Sequence, residues 1–181
     1  MKNQGENVTK PKILVDEETI RNRVSEIATR INSDFDGKGA LVLVGVLKGA
    51  FILLADLSRE ITVPHSVDFI AVSSYGRKGA DSGAVRLLMD VRENIEGRHV
   101  LIVEDILDTG HTLDYLTTLL QARNPASLST CVLVRKSERV QVDVNIDYLG
   151  FEIPDVWVVG YGLDYAEQNR TLPYIGAINP E

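Results

Sequence analysis

Apolar residues fall into two kinds of run along this chain, and the two kinds alternate. After Asp16, Ile20, Val24, Ile27, Ala28 and Ile31 recur at helical spacing, and Asp16 is suited to cap that helix. Residues 41–47, Leu-Val-Leu-Val-Gly-Val-Leu, are apolar without alternation, as in a strand covered on both faces. Helical spacing returns from Phe51 to Glu60, ahead of Pro64. Residues 67–72 and 85–89 predict strands on either side of a polar, glycine-rich stretch at 73–83. Residues 100–103 predict a short buried strand ending in acids and Gly110. Leu113, Leu116, Leu119 and Leu120 then mark a helix stopping near Pro125. Residues 132–134, 148–151 and 156–160 supply three further strands. Strands alternating with helices predict an α/β domain with a mostly parallel sheet, following a polar, flexible tail at 1–12. Ligands of such sheets sit outside the carboxyl ends of the strands, so the strand ends carry the chemistry.

Length and composition narrow the function classes. With 181 residues, 44% hydrophobic and 25% charged, the chain has the make-up of one globular domain. Its 19 basic and 26 acidic residues leave a net charge of −7, which argues against a broad nucleic-acid face or attachment to an anionic membrane. Cys131 is the single cysteine, so no intramolecular disulfide forms, and its apolar run at 130–134 predicts a small buried hydrophobe. The first residues, MKNQGENVTKPK, lack the apolar core of a signal peptide, and no stretch approaches the ~20 apolar residues of a membrane span. The expected location is cytoplasmic.

The strongest chemical signal is residues 100–112, Val-Leu-Ile-Val-Glu-Asp-Ile-Leu-Asp-Thr-Gly-His-Thr. Gly110 lets a turn aim successive backbone N–H groups at one point, and the helix behind it adds its positive end. Thr109 and Thr112 add hydroxyl donors, which makes a monophosphate cradle without a lysine. The acids Glu104 and Asp105 beside it suit sugar hydroxyls or a metal ion. Phosphate donors next to ribose acceptors describe a ribose 5-phosphate site.

That string resembles the phosphoribosyl-pyrophosphate signature of the type I phosphoribosyltransferases, and the chain from about Ile13 to Ile178 is similar to the hypoxanthine-guanine members. Leu47-Lys48-Gly49-Ala50 is similar to their pyrophosphate-binding loop, whose lysine peptide is often cis. Ser73-Ser74-Tyr75-Gly76 resembles the opening of their mobile catalytic loop. Residues 150–155 and 159–165 are close to family wording, and Lys136 and Arg170 match a purine-contacting lysine and a pyrophosphate-contacting arginine. His111 stands where the signature commonly has lysine, Arg135 where bacterial members often have an acid, and Trp157 in place of a stacking phenylalanine.

The resemblance implies a type I fold: a twisted, mostly parallel sheet flanked by helices, with a hood formed from the chain ends on a single domain at 13–181. The implied reaction joins a 6-oxopurine to C1 of 5-phosphoribosyl 1-pyrophosphate, giving IMP or GMP and pyrophosphate. Mg²⁺ is implied as the Lewis acid at Asp164, and Glu104 and Asp105 are expected on the ribose 2′ and 3′ hydroxyls, directly or through a second Mg²⁺. Lys48, Gly49 and Arg170 are expected on the pyrophosphate. Asp108, Thr109, Gly110, His111 and Thr112 are expected around the ribose phosphate, and Ser74 and Tyr75 at a closing loop. Lys136 is expected to donate to the 6-oxo group, the ring of Trp157 to stack on the purine, and a carbonyl of Trp157 or Val158 to accept from a 2-amino group. Asp108 is the expected proton handler at purine N7. Read alone, Lys136 fits a surface charge and Trp157 fits a core position equally well.

The expected partners are these two substrates and further copies of the chain, as a homodimer or homotetramer, with no nucleic acid and no membrane. One rival is an RNA-binding regulator on the same fold, which needs a basic surface this chain lacks. A xanthine-preferring transferase is the nearest enzymatic rival. Neither G-x-x-x-x-G-K-[ST] nor G-x-G-x-x-G occurs in the sequence, which argues against a nucleotide-binding kinase or dehydrogenase.

Overall fold

The computed structural model describes residues 11–75 and 84–179. Nine strands and three helices are seen among them: β1 (Lys12–Val15), α1 (Glu17–Phe35), β2 (Leu41–Leu47), α2 (Phe51–Glu60), β3 (His65–Tyr75), β4 (Ala84–Met89), β5 (His99–Leu107), α3 (His111–Gln121), β6 (Ser127–Arg135), β7 (Tyr148–Glu152), β8 (Trp157–Val159) and β9 (Ile175–Ile178). The main sheet has the order β4-β3-β2-β5-β6-β7. Its inner pairs are parallel, and β4 runs antiparallel on β3 at the edge. Asp16 caps α1 as the spacing predicts, its Oδ1 accepting from the Thr19 N–H at 2.8 Å.

The unalternating apolar runs are explained by burial on both faces. Leu41, Leu43, Leu101, Val103, Cys131 and Leu133 pack with α1 and α2 on one face. Val42, Val44, Val100, Ile102 and Val132 pack with Leu113, Leu116 and Leu120 of α3 on the other. Truncating such a Leu or Ile to Ala costs about 2–5 kcal/mol, against about 0–1 kcal/mol for an exposed ion pair, so these two layers hold the fold. Cys131 sits in the first layer, fully buried, and burial pushes its thiol up to about 12.

The structure corrects the sequence at three places. β5 does not end before the acids: the strand runs on through Glu104 and Asp105 to Leu107, because β6 keeps pairing with it. Lys12, placed in the tail by its polar neighbours, opens β1 opposite Ala177. β9, which no pattern predicts, lies between β1 and β8 in a second sheet built from the two chain ends. The expected mobile loop after Ser74 and Tyr75 falls at 76–83, outside the described residues, as do the side chains of Ser74 and Tyr75.

One buried carboxylate is structural. Asp68 on β3 accepts the N–H groups of Phe69, Arg92 and Glu93 at 2.6–2.9 Å, pinning the segment that leads into β5. Burial alone would raise its carboxyl, and the backbone donors, with the Arg92 charge, outweigh that and lower it.

Candidate active site

β2 and β5 are adjacent, with β3 leading away on one side and β6 on the other, so a crevice opens at their carboxyl ends. Lys48 and Gly49 follow β2, after a cis Leu47–Lys48 peptide, and Asp108 to Thr112 follow β5. The loop after β2 meets β5 directly. A Cβ on residue 49 would overlap the carboxylate of Asp105, so only glycine lets that backbone pass.

The left-handed turn expected ahead of α3 is present in the backbone. Gly110 has φ +92° and precedes α3, which has no side-chain cap to compete for its first N–H groups. Those donors and the positive end of the helix are available to an anion. The carbonyl of Thr109 accepts from Gln141 and Val142 at 3.0 and 3.1 Å, which walls the turn on its outer side. His111 lies against Gln141, its Nε2 3.3 Å from Oε1, so its side chain is turned to the wall.

Below the cradle lie Glu104 and Asp105. Glu104 is 6% exposed and its Oε2 has no hydrogen-bond partner. Burial first, and the Asp105 charge second, push its carboxyl well above the usual range. Asp105 is raised as well, by burial, against the opposing pull of its hydrogen bonds and of the Arg170 charge. A buried acid with one oxygen unpartnered, beside a second acid, is a costly arrangement that a cation or a hydroxyl would relieve.

Arg170 donates to the Gly162 carbonyl at 2.9 Å and pairs with Asp164 at 2.8 Å. The other Asp164 oxygen accepts from the Glu167 N–H at 2.8 Å. Glu167, which the sequence reading leaves unassigned, holds the Lys48 ammonium at 3.1 Å from both its oxygens. Among the described residues no three His, Cys, Asp or Glu side chains form a metal cage. The donor set is nonetheless right for Mg²⁺, which takes one or two carboxylates and fills its other positions with water and phosphate oxygens.

The remaining residues line a pocket of about 180 Å³ formed by Asp108, Lys136, Arg139, Asp155, Val156 and Trp157. Lys136, whose sequence context alone favoured a surface charge, is buried, with its ammonium 3.5 Å from Asp155 and 6.0 Å from the centre of the Trp157 ring. Trp157 is no core residue: it is 57% exposed and meets Tyr165 edge-on at 5.7 Å. β8 is an edge strand, so alternate backbone groups of residues 157–159 point away from the sheet. A flat ring entering here meets an aromatic face, an ammonium and a carboxylate. A hollow of about 400 Å³ lies elsewhere, between α1, α2 and residues 171–173, and contains none of these groups.

The structure thus brings Lys48, Gly49, Glu104, Asp105, Asp164 and Arg170 to one side of the crevice and Asp108, Lys136 and Trp157 to the other, with the Thr109–Thr112 turn joining them. Sequence reasoning missed Glu167, Arg139 and Asp155, which are ordinary charged loop residues with no local signal.

Residues 12–166 match the phosphoribosyl transferase domain family. The chain is 48% identical over 172 residues to a hypoxanthine-guanine phosphoribosyltransferase of Dictyostelium discoideum, covering 93% of this chain and 96% of that one. It is 45% identical over 167 residues to a hypoxanthine phosphoribosyltransferase of Salmonella typhimurium, covering 92% and 94%. Among solved structures, a hypoxanthine-guanine phosphoribosyltransferase of Bacillus anthracis superposes with a TM-score of 0.89 at 43% identity, over 94% of this chain and all of that one. The hypoxanthine phosphoribosyltransferase of Trypanosoma cruzi, solved with its product IMP, superposes with a TM-score of 0.88 at 47% identity, over 97% of each chain.

Proposed function

This chain belongs to the phosphoribosyl transferase family, and from that premise we propose that it is a purine-salvage enzyme. Its fold is the type I phosphoribosyltransferase fold, with the sheet of the chain ends serving as the hood. It joins hypoxanthine or guanine to C1 of 5-phosphoribosyl 1-pyrophosphate and releases pyrophosphate, forming IMP or GMP. The observation that carries this reading is the buried Lys136 ammonium facing one pocket with Trp157 and Asp108, at the mouth of the α3 cradle.

The 5-phosphate binds the N–H groups at Gly110, His111 and Thr112 and the hydroxyls of Thr109 and Thr112. Glu104 and Asp105 accept from the ribose 2′ and 3′ hydroxyls. Lys48, the Gly49 backbone and Arg170 hold the pyrophosphate. Asp164, with Glu104 and Asp105 nearby, would hold Mg²⁺, which when bound would supply Lewis-acid neutralisation of the leaving pyrophosphate. Trp157 stacks on the purine, and Lys136 donates to its 6-oxo group. An adenine amine would present hydrogens to that ammonium and leave it unpaired, so 6-oxopurines are preferred. Asp108 accepts the N7 proton as N9 bonds to C1 and the C1–oxygen bond to pyrophosphate breaks. Exposed Phe51, Val67, Leu88 and Met89 offer apolar surface for a homodimer or homotetramer.

The test is turnover with phosphoribosyl pyrophosphate and Mg²⁺, offering hypoxanthine, guanine, xanthine, adenine and uracil separately. Monophosphate from hypoxanthine or guanine, lost in Asp108→Asn, is the expected result. Silence on all five from a folded protein overturns the assignment, and turnover of xanthine alone moves it to the xanthine enzyme.

A further inference from the structure

The two groups that read the purine edge are joined by a chain of alternating charge. Arg139 donates through Nε to Asp108 Oδ1, and its Nη1 lies 3.7 Å from Asp155 Oδ2. The other oxygen of Asp155, Oδ1, lies 3.5 Å from the Lys136 ammonium. The order is therefore Asp108, Arg139, Asp155, Lys136: acid, base, acid, base. Each segment enters from a different strand end. Asp108 follows β5, Lys136 and Arg139 follow β6, and Asp155 sits between β7 and β8. The backbone fixes these approaches. Lys136 N–H donates to the Leu107 carbonyl, a 3₁₀ turn at Ser137–Arg139 brings the arginine back over Asp108, and Ile153 N–H donates to the Arg135 carbonyl, each bond 3.0 Å.

We propose that Arg139 and Asp155 are positioning residues that set the separation of Asp108 and Lys136, so that the carboxylate and the ammonium reach N7 and O6 of a 6-oxopurine together. The proposal rests on the base-site reading above. N7 and O6 lie side by side on one edge of the ring, so two groups that address them must converge within a narrow spacing. Lys136 and Asp108 make no direct ion pair with each other; their spacing passes through the two intervening side chains. The side chains of Asp108, Arg139 and Asp155 are 41–42% exposed, so the pairs among these three add little to stability, while the Lys136 side chain is 8% exposed. Breaking the Arg139 links therefore leaves the fold intact and acts on geometry, where small displacements are expensive. Asp155→Asn also leaves the buried Lys136 ammonium without its carboxylate, a cost the melting temperature reads separately.

The experiment uses the full-length protein and its Arg139→Gln, Arg139→Lys, Asp155→Asn and Arg139→Gln/Asp155→Asn variants. The readouts are KM for hypoxanthine, KM for phosphoribosyl pyrophosphate, thermal melting, and IMP binding followed by fluorescence of Trp157, the only tryptophan. Arg139→Gln and Asp155→Asn are each expected to raise the hypoxanthine KM and the IMP Kd about tenfold, with KM for the other substrate within about twofold. The double variant is no worse than the worse single one, because the two residues act as one spacer. Arg139→Lys keeps the charge and recovers part of the loss. An unmoved hypoxanthine KM, an equal rise in both KM values, or losses that multiply in the double variant overturns the proposal. Wild-type turnover of hypoxanthine separates the two levels. Normal wild-type turnover with unaffected variants removes only the spacer. A wild type that neither turns over hypoxanthine nor binds IMP removes the base site and the spacer with it.

Discussion

Asp105 fills the space that Gly49 leaves open: a Cβ on residue 49 would overlap its Oδ2 and Cγ. The peptide expected on pyrophosphate and the acid expected on ribose are thus in contact, and neither can shift alone. Gly49→Ala should lower kcat/KM for phosphoribosyl pyrophosphate on the order of 10²-fold, since displacements near 1 Å carry that cost. Overpacking of about 1–3 kcal/mol should also lower the melting temperature, at roughly 2–4 °C per kcal/mol. Steady-state kinetics and calorimetry check both. Unchanged kinetics would mean that this contact does not shape the site.

That contact was not legible in the sequence, although much around it was. β2 could be read from residues 41–47 because both faces are covered, and the turn at Gly110 because it needs a left-handed φ. Carboxylates rarely continue a buried strand, so a rule based on polarity ends β5 at Val103. Pairing with β6 overrides that rule and buries Glu104. Lys136 has no local mark of burial in Arg-Lys-Ser; the packing of Trp157 and Asp155 over it is a tertiary fact. β1 and β9, four residues each, are too short to show a period, and their pairing joins opposite ends of the chain.

Glu104 is held at a cost to stability. Its carboxyl lies well above the ordinary value because of burial and the Asp105 charge, so the folded state binds its proton more tightly than the unfolded state. The contribution of such a group is fully present below the unfolded pKa of about 4.3 and is lost as pH rises through the folded value. Glu104→Gln removes the charge and supplies a donor, and should raise stability about 1–3 kcal/mol at pH 8, with a smaller gain at pH 5. The same variant should raise KM for phosphoribosyl pyrophosphate at least about tenfold. Melting curves at the two pH values decide it: a variant less stable at both would show that Glu104 stabilises the free enzyme.

Asp68 shows the opposite sign. Although burial raises its carboxyl, the N–H groups of Glu93, Phe69 and Arg92 and the Arg92 charge bring the balance below the ordinary value. Its stabilisation is therefore present above the unfolded pKa of about 3.9 and is lost as pH falls through the folded value. Asp68→Asn should cost about 1–3 kcal/mol at pH 7, and the gap to wild type should close below about pH 4. A gap that stays constant down to pH 3 would place the effect in packing and not in the carboxylate charge.

Base selectivity should follow the charge on Lys136. A buried ammonium offers only donors, so it donates to a 6-oxo oxygen and opposes the hydrogens of an adenine amine. Lys136→Gln supplies an amide that donates to an oxo group through nitrogen or accepts from an amine through oxygen, at similar length and without charge. Hypoxanthine then loses a charge-assisted bond, and adenine loses the penalty of an unpaired buried cation. The ratio of kcat/KM for hypoxanthine over adenine should fall by at least about 10²-fold, since discrimination built on one buried polar group reaches about 10⁴–10⁵. Competition assays with both bases in one reaction measure that ratio directly. A ratio within about threefold of wild type would mean that purine choice is made elsewhere.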